Sequence, residues 1–180
     1  MLYTYKEAEK KFGSEYQLLK ALKDNKIFKI EKGIYSDEKH VNYLALISKK
    51  YPNAIFTMDS AFFYHNLTDV IPENQYLAVK RDSMKIKDKE IVQIKVIDSL
   101  FSIGASELVV NGVKIKIYDK ERMLIELIRN RKSIGFDYYK EIIANYRERK
   151  EELNPKKIAS YISAFHHEGH LYDVIMREVY

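Results

Sequence analysis

The chain has 180 residues, of which 46% are hydrophobic and 13% aromatic, so it can bury a full core and is not a disordered polypeptide. It contains no cysteine, which excludes a disulfide framework, a thiolate metal site and a cysteine nucleophile. The formal net charge is +5, and residues 1–53, with eleven lysines against seven acids, account for +4 of it.

The first two predicted helices are bounded by capping residues. Thr4 can cap a helix over 5–12 that Gly13 ends, and the Ser14 hydroxyl can accept a hydrogen bond from an otherwise unpaired backbone N–H at the start of the next. The spacing of apolar residues predicts a buried stripe on this second helix, formed by Leu18, Leu19 and Leu22.

Residues 27–35 predict a tight β-hairpin. Two short apolar runs, 27–30 and 34–35, flank Glu31-Lys32-Gly33, in which the glycine is free to adopt a positive φ. A helix, a glycine-containing turn, a second helix and a basic hairpin follow one another in a winged helix-turn-helix. We therefore predict such a head over residues 1–36.

A polar hinge precedes residues 41–180, which predict a second domain. Asn111-Gly112 is a strong hairpin signal, because both residues tolerate a left-handed φ. The other predicted elements are helices over 41–50 and 57–65, strands over 54–56, 75–80 and 90–97, and helices starting at 119, over 138–149, over 154–169 and over 171–180. The predicted fold class is α+β, a winged helix-turn-helix head followed by a small mixed β-sheet with a C-terminal helical bundle.

The outward face of the second helix and the predicted hairpin carry residues that can contact DNA. Glutamine can pair with a base edge, and lysine can contact guanine or phosphate. The candidate DNA-binding residues are Tyr16, Gln17, Lys20, Lys23, Lys29 and Lys32. Glu15 places a negative charge at the leading turn of the same helix, and a winged helix can also serve only for protein interaction, so that alternative stays open.

Two segments invite a metal-site interpretation. In His166-His167-Glu168-Gly169-His170 the spacing differs from the His-Glu-x-x-His of zincins, so we predict no zinc site. Glu73 is followed twenty residues later by Gln93-Ile94-Lys95, a layout similar to that of metal-dependent nucleases. The carboxylates that Mg²⁺ would need lie in a lysine-rich stretch predicted to be an exposed loop, and they are Asp82, Asp88 and Glu90.

A charged cluster lies on the helix that follows the Asn111-Gly112 hairpin. Arg122 and Glu126 have the i, i+4 spacing of a helical ion pair, and Glu121 lies beside them. We predict a structural ion pair that ties this helix to the sheet. We find no catalytic set in the chain and expect neither enzymatic activity nor a cofactor.

Several linked segments resemble a known family. Gly33-x-Tyr35, then Ser60-Ala61 with His65 and Leu67-Thr68-Asp69, then Tyr118-Asp119-x-Glu121-Arg122-x-Leu124 occur in this order. Together they resemble the AbiEi family, antitoxins of type IV toxin–antitoxin (abortive infection) systems. Here Lys32, Asn66 and Met123 stand where the family has arginine, glycine and threonine. The resemblance covers most of residues 4–130.

The resemblance implies a function in phage defence. It implies a winged-helix head that binds inverted repeats in double-stranded DNA and represses its own operon. The body would counter a nucleotidyltransferase toxin encoded alongside, without a stable complex. We also expect a cytoplasmic protein, since no apolar run could span a membrane and residues 1–11 lack a signal-peptide core. A metal-dependent nuclease-like enzyme and a protein-interaction module with an idle winged helix remain as alternatives.

Overall fold

The computed structural model describes residues 1–165 and 168–180, and within them the protein is α+β with two β-sheets. Its internal contacts divide the chain into two compact units. The first unit comprises residues 1–53 and 109–115, and the second comprises 54–108 and 116–180. The boundary that the sequence predicts, between residues 36 and 41, lies inside the first unit.

The first unit combines three short strands with three helices. In chain order they are β1 (Leu2–Thr4), α1 (Tyr5–Phe12), α2 (Glu15–Lys23), β2 (Phe28–Glu31), β3 (Ile34–Ser36) and α3 (Tyr43–Lys50). The strands form an antiparallel sheet in the order β1-β3-β2. Strand β1 is not among the predicted elements, because three residues carry no period-2 pattern and their partner strand lies some thirty residues further along the chain.

The predicted caps of α1 and α2 are confirmed. The Thr4 hydroxyl accepts from the Glu7 backbone N–H, and Glu7 Oε2 accepts from the Thr4 backbone N–H at 2.7 Å, which completes a capping box. Gly13 ends α1 with a φ of +90°. The Ser14 hydroxyl then accepts from the Gln17 backbone N–H and starts α2.

One hydrophobic core supports α1, α2 and the hairpin. Its buried members are Ala8, Leu18, Ala21, Ile27 and Tyr35. The prediction that Leu19 lies in the buried stripe is wrong, since its side chain is 52% exposed. The inward row of α2 runs from Leu18 to Ala21, with Leu22 partly buried, and Leu19 lies outside that row.

The second unit contains the larger sheet and the remaining helices. In chain order they are β4 (Ile55–Phe56), α4 (Met58–Tyr64), β5 (Gln75–Lys80), β6 (Ile91–Val96), α5 (Asp98–Phe101), β7 (Ala105–Val110), β8 (Val113–Tyr118), α6 (Lys120–Arg129), α7 (Phe136–Glu148), α8 (Pro155–Ile162) and α9 (Glu168–Val179). The sheet order is β6-β5-β4-β8-β7. It is mixed, because β4 is antiparallel to β5 while the pairs β5–β6 and β4–β8 are parallel. The tip of the β7–β8 hairpin belongs to the first unit.

The loop before the outer strand β6 is hydrogen-bonded to a side chain of that strand. The Gln93 side chain projects from β6 and forms two hydrogen bonds with the backbone of this loop. Its Oε1 accepts from the Ile86 N–H at 3.0 Å, and its Nε2 donates to the Met84 carbonyl at 2.9 Å. Residues 84–86 therefore stay close to the edge of the sheet.

The C-terminal helices differ in their bounds from the prediction. The prediction that Gly169 ends the helix starting at Asn154 is wrong, because α8 ends at Ile162 and Gly169 lies in the first turn of α9. The chain leaves α8 through short turns in which the N–H groups of Ala164 and Phe165 bond to carbonyls three residues back, and the Phe165 ring is buried. His166 and His167 lie outside the described residues.

Within residues 1–165 and 168–180, no helix is both long enough and apolar enough to cross a bilayer.

Candidate nucleic-acid interface

Four of the candidate residues lie on the outward face of α2. Tyr16, Gln17, Lys20 and Lys23 are all exposed, and Tyr16 is the most prominent apolar group among them at 73% exposure. They point outward because Leu18 and Ala21 occupy the core on the opposite side of the helix. The face of α2 that the sequence assigns to DNA is therefore open.

The other two candidates lie on the β2–β3 hairpin. Lys29 is an exposed residue of β2, and Lys32 is exposed in the two-residue turn. Gly33 completes this turn with a φ of +81°, which a residue with a side chain would adopt only at a cost. Because Leu18 of α2 and Tyr35 of β3 share one core, α2 and the hairpin are supported by the same packing. We call the six residues on these two elements the α2–hairpin surface.

In the described part of the chain, the lysines of the α2–hairpin surface form no ion pair, and neither do Lys6, Lys10 and Lys39. Among the described residues, Lys20, Lys23, Lys29 and Lys32 have no ion-pair partner. Four other lysines do pair with acids, in the pairs Lys11–Asp37 at 2.5 Å, Lys49–Glu7 at 2.6 Å, Lys50–Glu31 at 2.7 Å and Lys26–Asp24 at 3.9 Å. Glu7, Glu31 and Asp37 are thus paired with lysines outside the surface, and the four lysines of the surface keep their positive charge.

Two of these ion pairs change the pKa of their acids. The Lys49 ammonium and the hydrogen bonds from Thr4 lower the pKa of Glu7 to about 2. The Lys11 ammonium, with a further hydrogen bond from the Tyr3 hydroxyl, lowers the pKa of Asp37, and the same contacts raise the pKa of Lys11. These charges remain ionised at neutral pH and join α1 to α3 and to the end of β3.

Glu15, the acid at the leading turn of α2, interacts with Tyr5 of α1. Partial burial, the Glu15 and Glu9 carboxylates and a hydrogen bond with Glu15 together raise the pKa of the Tyr5 hydroxyl. The Glu15 carboxylate therefore has a partner within the first unit. Its charge also lies in the first turn of α2, where an acid interacts favourably with the helix dipole.

Sequence reasoning missed one apolar group on this face. Leu19 follows Tyr16 by three residues and precedes Lys20 and Lys23, so the four side chains share one side of α2. The signal was present in the sequence, since Ala21 follows Leu18 by three residues and completes the inward row without Leu19. The exposed face of α2 thus combines two apolar side chains with two lysines and a glutamine.

The charged cluster on α6 is a buried network in the second unit. Arg122 is fully buried, and its Nη2 lies 2.8 Å from Glu126 Oε1. Its Nη1 donates to the carbonyls of Leu100, in α5, and Ile103, in the turn after α5, at 2.8 and 3.0 Å. The guanidinium carbon also lies 4.7 Å from the ring centre of Tyr118. Arg122 therefore fastens α6 to the α5 segment.

Glu121 has a separate role from Arg122 and Glu126. Its Oε1 accepts from the backbone N–H of Asn154, at 2.9 Å. Asn154 is the N-cap of α8, so Glu121 holds the start of α8 against α6. All three charged residues have protein partners, and their contacts are those of structural groups.

The residues behind the nuclease alternative are spread over different environments. The Oε1 and Nε2 atoms of Gln93 are both hydrogen-bonded to the loop before β6, and Lys95 is exposed on β6. In the part of the chain that the structure describes, no three His, Asp or Glu side chains are grouped so that they could hold a metal ion. We therefore find no observation that favours this alternative.

Two of the residues on which the resemblance to the AbiEi family rests, His65 and Thr68, make hydrogen bonds within the second unit. His65 is buried, and its Nε2 donates to the Tyr118 carbonyl at 2.7 Å. The Thr68 hydroxyl donates to Glu141 Oε1 at 2.7 Å. His65 and Thr68 thus link the α4 segment to β8 and α7, respectively.

A scan of the chain against protein-family models and a search of the curated proteins both find no match.

Proposed function

We propose that this protein is a DNA-binding transcriptional regulator whose residues 1–36 act as a winged helix-turn-helix. In this proposal α2 is the recognition helix and the β2–β3 hairpin is the wing. The observation that carries it is the α2–hairpin surface, where all six residues are exposed and the four lysines have no ion-pair partner in the described part of the chain. The order β1-α1-α2-β2-β3 and the sheet order β1-β3-β2 support it.

The chemistry of this surface suits a duplex. An α-helix with its side chains is about 10–12 Å in diameter and so fits a major groove about 12 Å wide, and α2, with nine residues, offers about 13 Å of length to the groove. Gln17 can bond to a base edge, and Lys20 and Lys23 can contact guanine or phosphate. Tyr16 and Leu19 offer apolar contact to thymine methyl groups. Lys29 and Lys32 on the hairpin would contact backbone phosphates.

We further propose that the protein is a cytoplasmic, non-enzymatic antitoxin of a type IV toxin–antitoxin system. This part rests on the ordered segments that resemble the AbiEi family. The regulator would bind inverted repeats of its own operon, and a nucleotidyltransferase toxin encoded alongside would be its functional partner, without a stable complex. No cofactor or membrane takes part.

Charge reversal on α2 and the hairpin tests the DNA-binding proposal. We expect the double variant Lys20→Glu/Lys32→Glu to weaken binding to the DNA upstream of its own reading frame on the order of a hundredfold, measured by fluorescence anisotropy. The matched control is Lys39→Glu/Lys156→Glu, which makes the same charge change at two exposed lysines outside the surface. Equal affinity of the two double variants would exclude the α2–hairpin surface as the DNA contact.

Growth measurements test the antitoxin proposal separately. We expect expression of this chain to restore growth to cells that produce the neighbouring nucleotidyltransferase. The Lys20→Glu/Lys32→Glu variant should rescue growth as well as the unmodified chain when both are expressed from an unrelated promoter, because the toxin-countering activity is assigned to the body. Failure of the unmodified chain to rescue growth would remove the antitoxin proposal and leave the DNA-binding proposal standing.

A second candidate function is favoured by one observation. Tyr16 and Leu19 are exposed apolar side chains on one helix face, at 73% and 52%, and such side chains also serve protein interfaces. A protein-interaction module would show no binding to upstream DNA and would retain a partner that dissociates on Leu19→Asp. DNA binding that persists in the purified chain and is lost on Lys20→Glu/Lys32→Glu would exclude this candidate.

A further inference from the structure

The first turns of α2 carry the side chains that can contact bases. Ser14 caps the helix, and Tyr16, Gln17 and Leu19 all lie within its first five residues. In helix-turn-helix proteins the N-terminal residues of the recognition helix contact base edges in the major groove. The chemistry of these three side chains therefore decides which base pairs α2 can select.

Gln17 has a free carboxamide at this end of the helix. Its backbone N–H donates to the Ser14 hydroxyl, whereas its side chain is exposed and has no hydrogen-bond partner in the part of the chain that the structure describes. A carboxamide donates and accepts at the same time, which matches the N6 donor and N7 acceptor of adenine. Gln17 can therefore form a bidentate pair with adenine.

The two neighbouring side chains on this face are apolar. Tyr16 is 73% exposed and Leu19 is 52% exposed, and because they lie three residues apart they share one side of α2. Of the four bases, thymine presents a methyl group in the major groove, so exposed apolar side chains favour it. The amide contact and the apolar contacts thus both select A·T pairs.

The side chain that most effectively selects guanine is missing from the first unit. Its residues, 1–53 and 109–115, contain no arginine, whose planar fork bonds to guanine O6 and N7 together. A lysine ammonium can contact guanine but is a point charge without that fork. Lys20 and Lys23 also lie nearer the C-terminal end of α2, the end of the recognition helix that contacts the DNA backbone in homeodomains.

The acid in the first turn of α2 is held by the protein itself. A carboxylate can accept from the N4 amino group of cytosine, so a free Glu15 would favour a G·C pair. Its carboxylate instead hydrogen-bonds with Tyr5 of α1. Glu15 therefore does not supply the contact that cytosine requires.

On the basis of the proposed DNA-binding function, we propose that α2 selects A·T base pairs in the major groove. Gln17 forms two hydrogen bonds with adenine, and Leu19, with Tyr16 beside it, packs against thymine methyl groups. Lys20 and Lys23 contact the flanking phosphates, which adds affinity without sequence preference. Gln17 and Leu19 are thus the residues that determine specificity.

Base analogues that lack one major-groove group test each contact. The full chain is titrated by fluorescence anisotropy with a duplex of the DNA upstream of its own reading frame, and with the same duplex carrying deoxyuridine for thymine, which removes only the methyl groups. We expect affinity to fall about fourfold for each contacted methyl group. Replacing adenine by 7-deazaadenine, which lacks the N7 acceptor, should weaken binding by about fivefold to about a hundredfold. Replacing guanine by 7-deazaguanine should leave affinity unchanged.

Variants assign each loss of affinity to one side chain. Leu19→Ala should lose most of the difference between the thymine and deoxyuridine duplexes, whereas Ile71→Ala, at a 74% exposed apolar side chain outside the surface, should keep it. Gln17→Ala should lose the effect of 7-deazaadenine. Gln17 and Leu19 are both exposed, so their replacement by alanine leaves the fold intact.

Failure of the base specificity can be told apart from failure of DNA binding. No binding to the unmodified duplex would overturn the DNA-binding function and the A·T specificity with it. Equal affinity for the unmodified duplex and for either the deoxyuridine or the 7-deazaadenine duplex would overturn the A·T specificity alone, as would weaker binding to the 7-deazaguanine duplex. A full deoxyuridine effect in Leu19→Ala would contradict the role of Leu19.

Discussion

Gly104 shows how one residue without a side chain makes room for a buried charge. It has a φ of +75°, and a Cβ atom added there would lie 2.4 Å from the Cβ of Arg122. Its carbonyl accepts from the Asp119 N–H at 2.7 Å, and Asp119 in turn caps α6. The close approach of Gly104 therefore fixes both the start of α6 and the position of Arg122.

Gly104→Ala should destabilise the protein by about 2–4 kcal/mol, because the new methyl group adds overpacking against Arg122 to the cost of a positive φ. Urea unfolding followed by circular dichroism measures this. The matched control is Gly112→Ala, where φ is +78° but no atom lies within 4 Å of the added Cβ. That variant should lose only about 1 kcal/mol. Equal losses in the two variants would show that the contact with Arg122 is unimportant.

His65 makes stability depend on pH. Burial lowers the pKa of its imidazole, and the hydrogen bond to the Tyr118 carbonyl offsets this only in part. Because the unfolded chain then binds the proton more tightly than the folded one, the free energy of unfolding should fall as the pH drops below about 6.5. Thermal melts between neutral pH and about pH 5 check this. His65→Gln, which keeps an N–H donor but does not titrate, should flatten this step.

At the scale of the elements, α2 packs against the core with one side and faces solvent with the other. Leu18 and Leu19 are neighbours in sequence with opposite environments, one buried and the other 52% exposed. Leu18→Ala should cost about 2–4 kcal/mol of stability, and Leu19→Ala less than about 0.5 kcal/mol. Chemical denaturation of the two variants measures the difference. Similar losses would mean that α2 is rotated relative to the core described above.

The elements that the sequence predicts well are those with local signals. Strand β5 has the predicted bounds, and the caps Thr4, Ser14 and Asp119 start the helices that they were expected to start. The errors have different causes. Strand β1 forms by pairing with β3, which lies far away in the sequence. Gly169 lies in the first turn of α9, although glycine is common at the C-terminal end of a helix.

For the candidate sites, too, local sequence signals predict some features and not others. Helical periodicity and residue type suffice to place Lys20 and Lys23 on an outward face. No local pattern shows which lysines are neutralised, because the pairs Lys49–Glu7 and Lys50–Glu31 join positions far apart in the chain.

At the scale of the whole molecule, charge is distributed unevenly. Of the net charge of +5, residues 1–53 hold +4. If the four lysines of the α2–hairpin surface each contact a phosphate, the logarithm of affinity should fall with the logarithm of salt concentration with a slope of about −3 to −4. Anisotropy titrations between about 50 and 200 mM salt measure the slope. Lys20→Glu/Lys32→Glu should flatten it by about two, and salt-independent binding would contradict the phosphate contacts.

The two hydrogen bonds between the Gln93 side chain and residues 84–86 affect how copies of this protein associate. A bare outer strand offers unpaired amide and carbonyl groups that can recruit a strand from another molecule, the first step towards fibrils. Here the side-chain amide of Gln93 keeps residues 84–86 of the same chain beside the outer strand. Shortening this stretch, or replacing Gln93 by alanine, should therefore appear first as precipitation during concentration rather than as a change in unfolding.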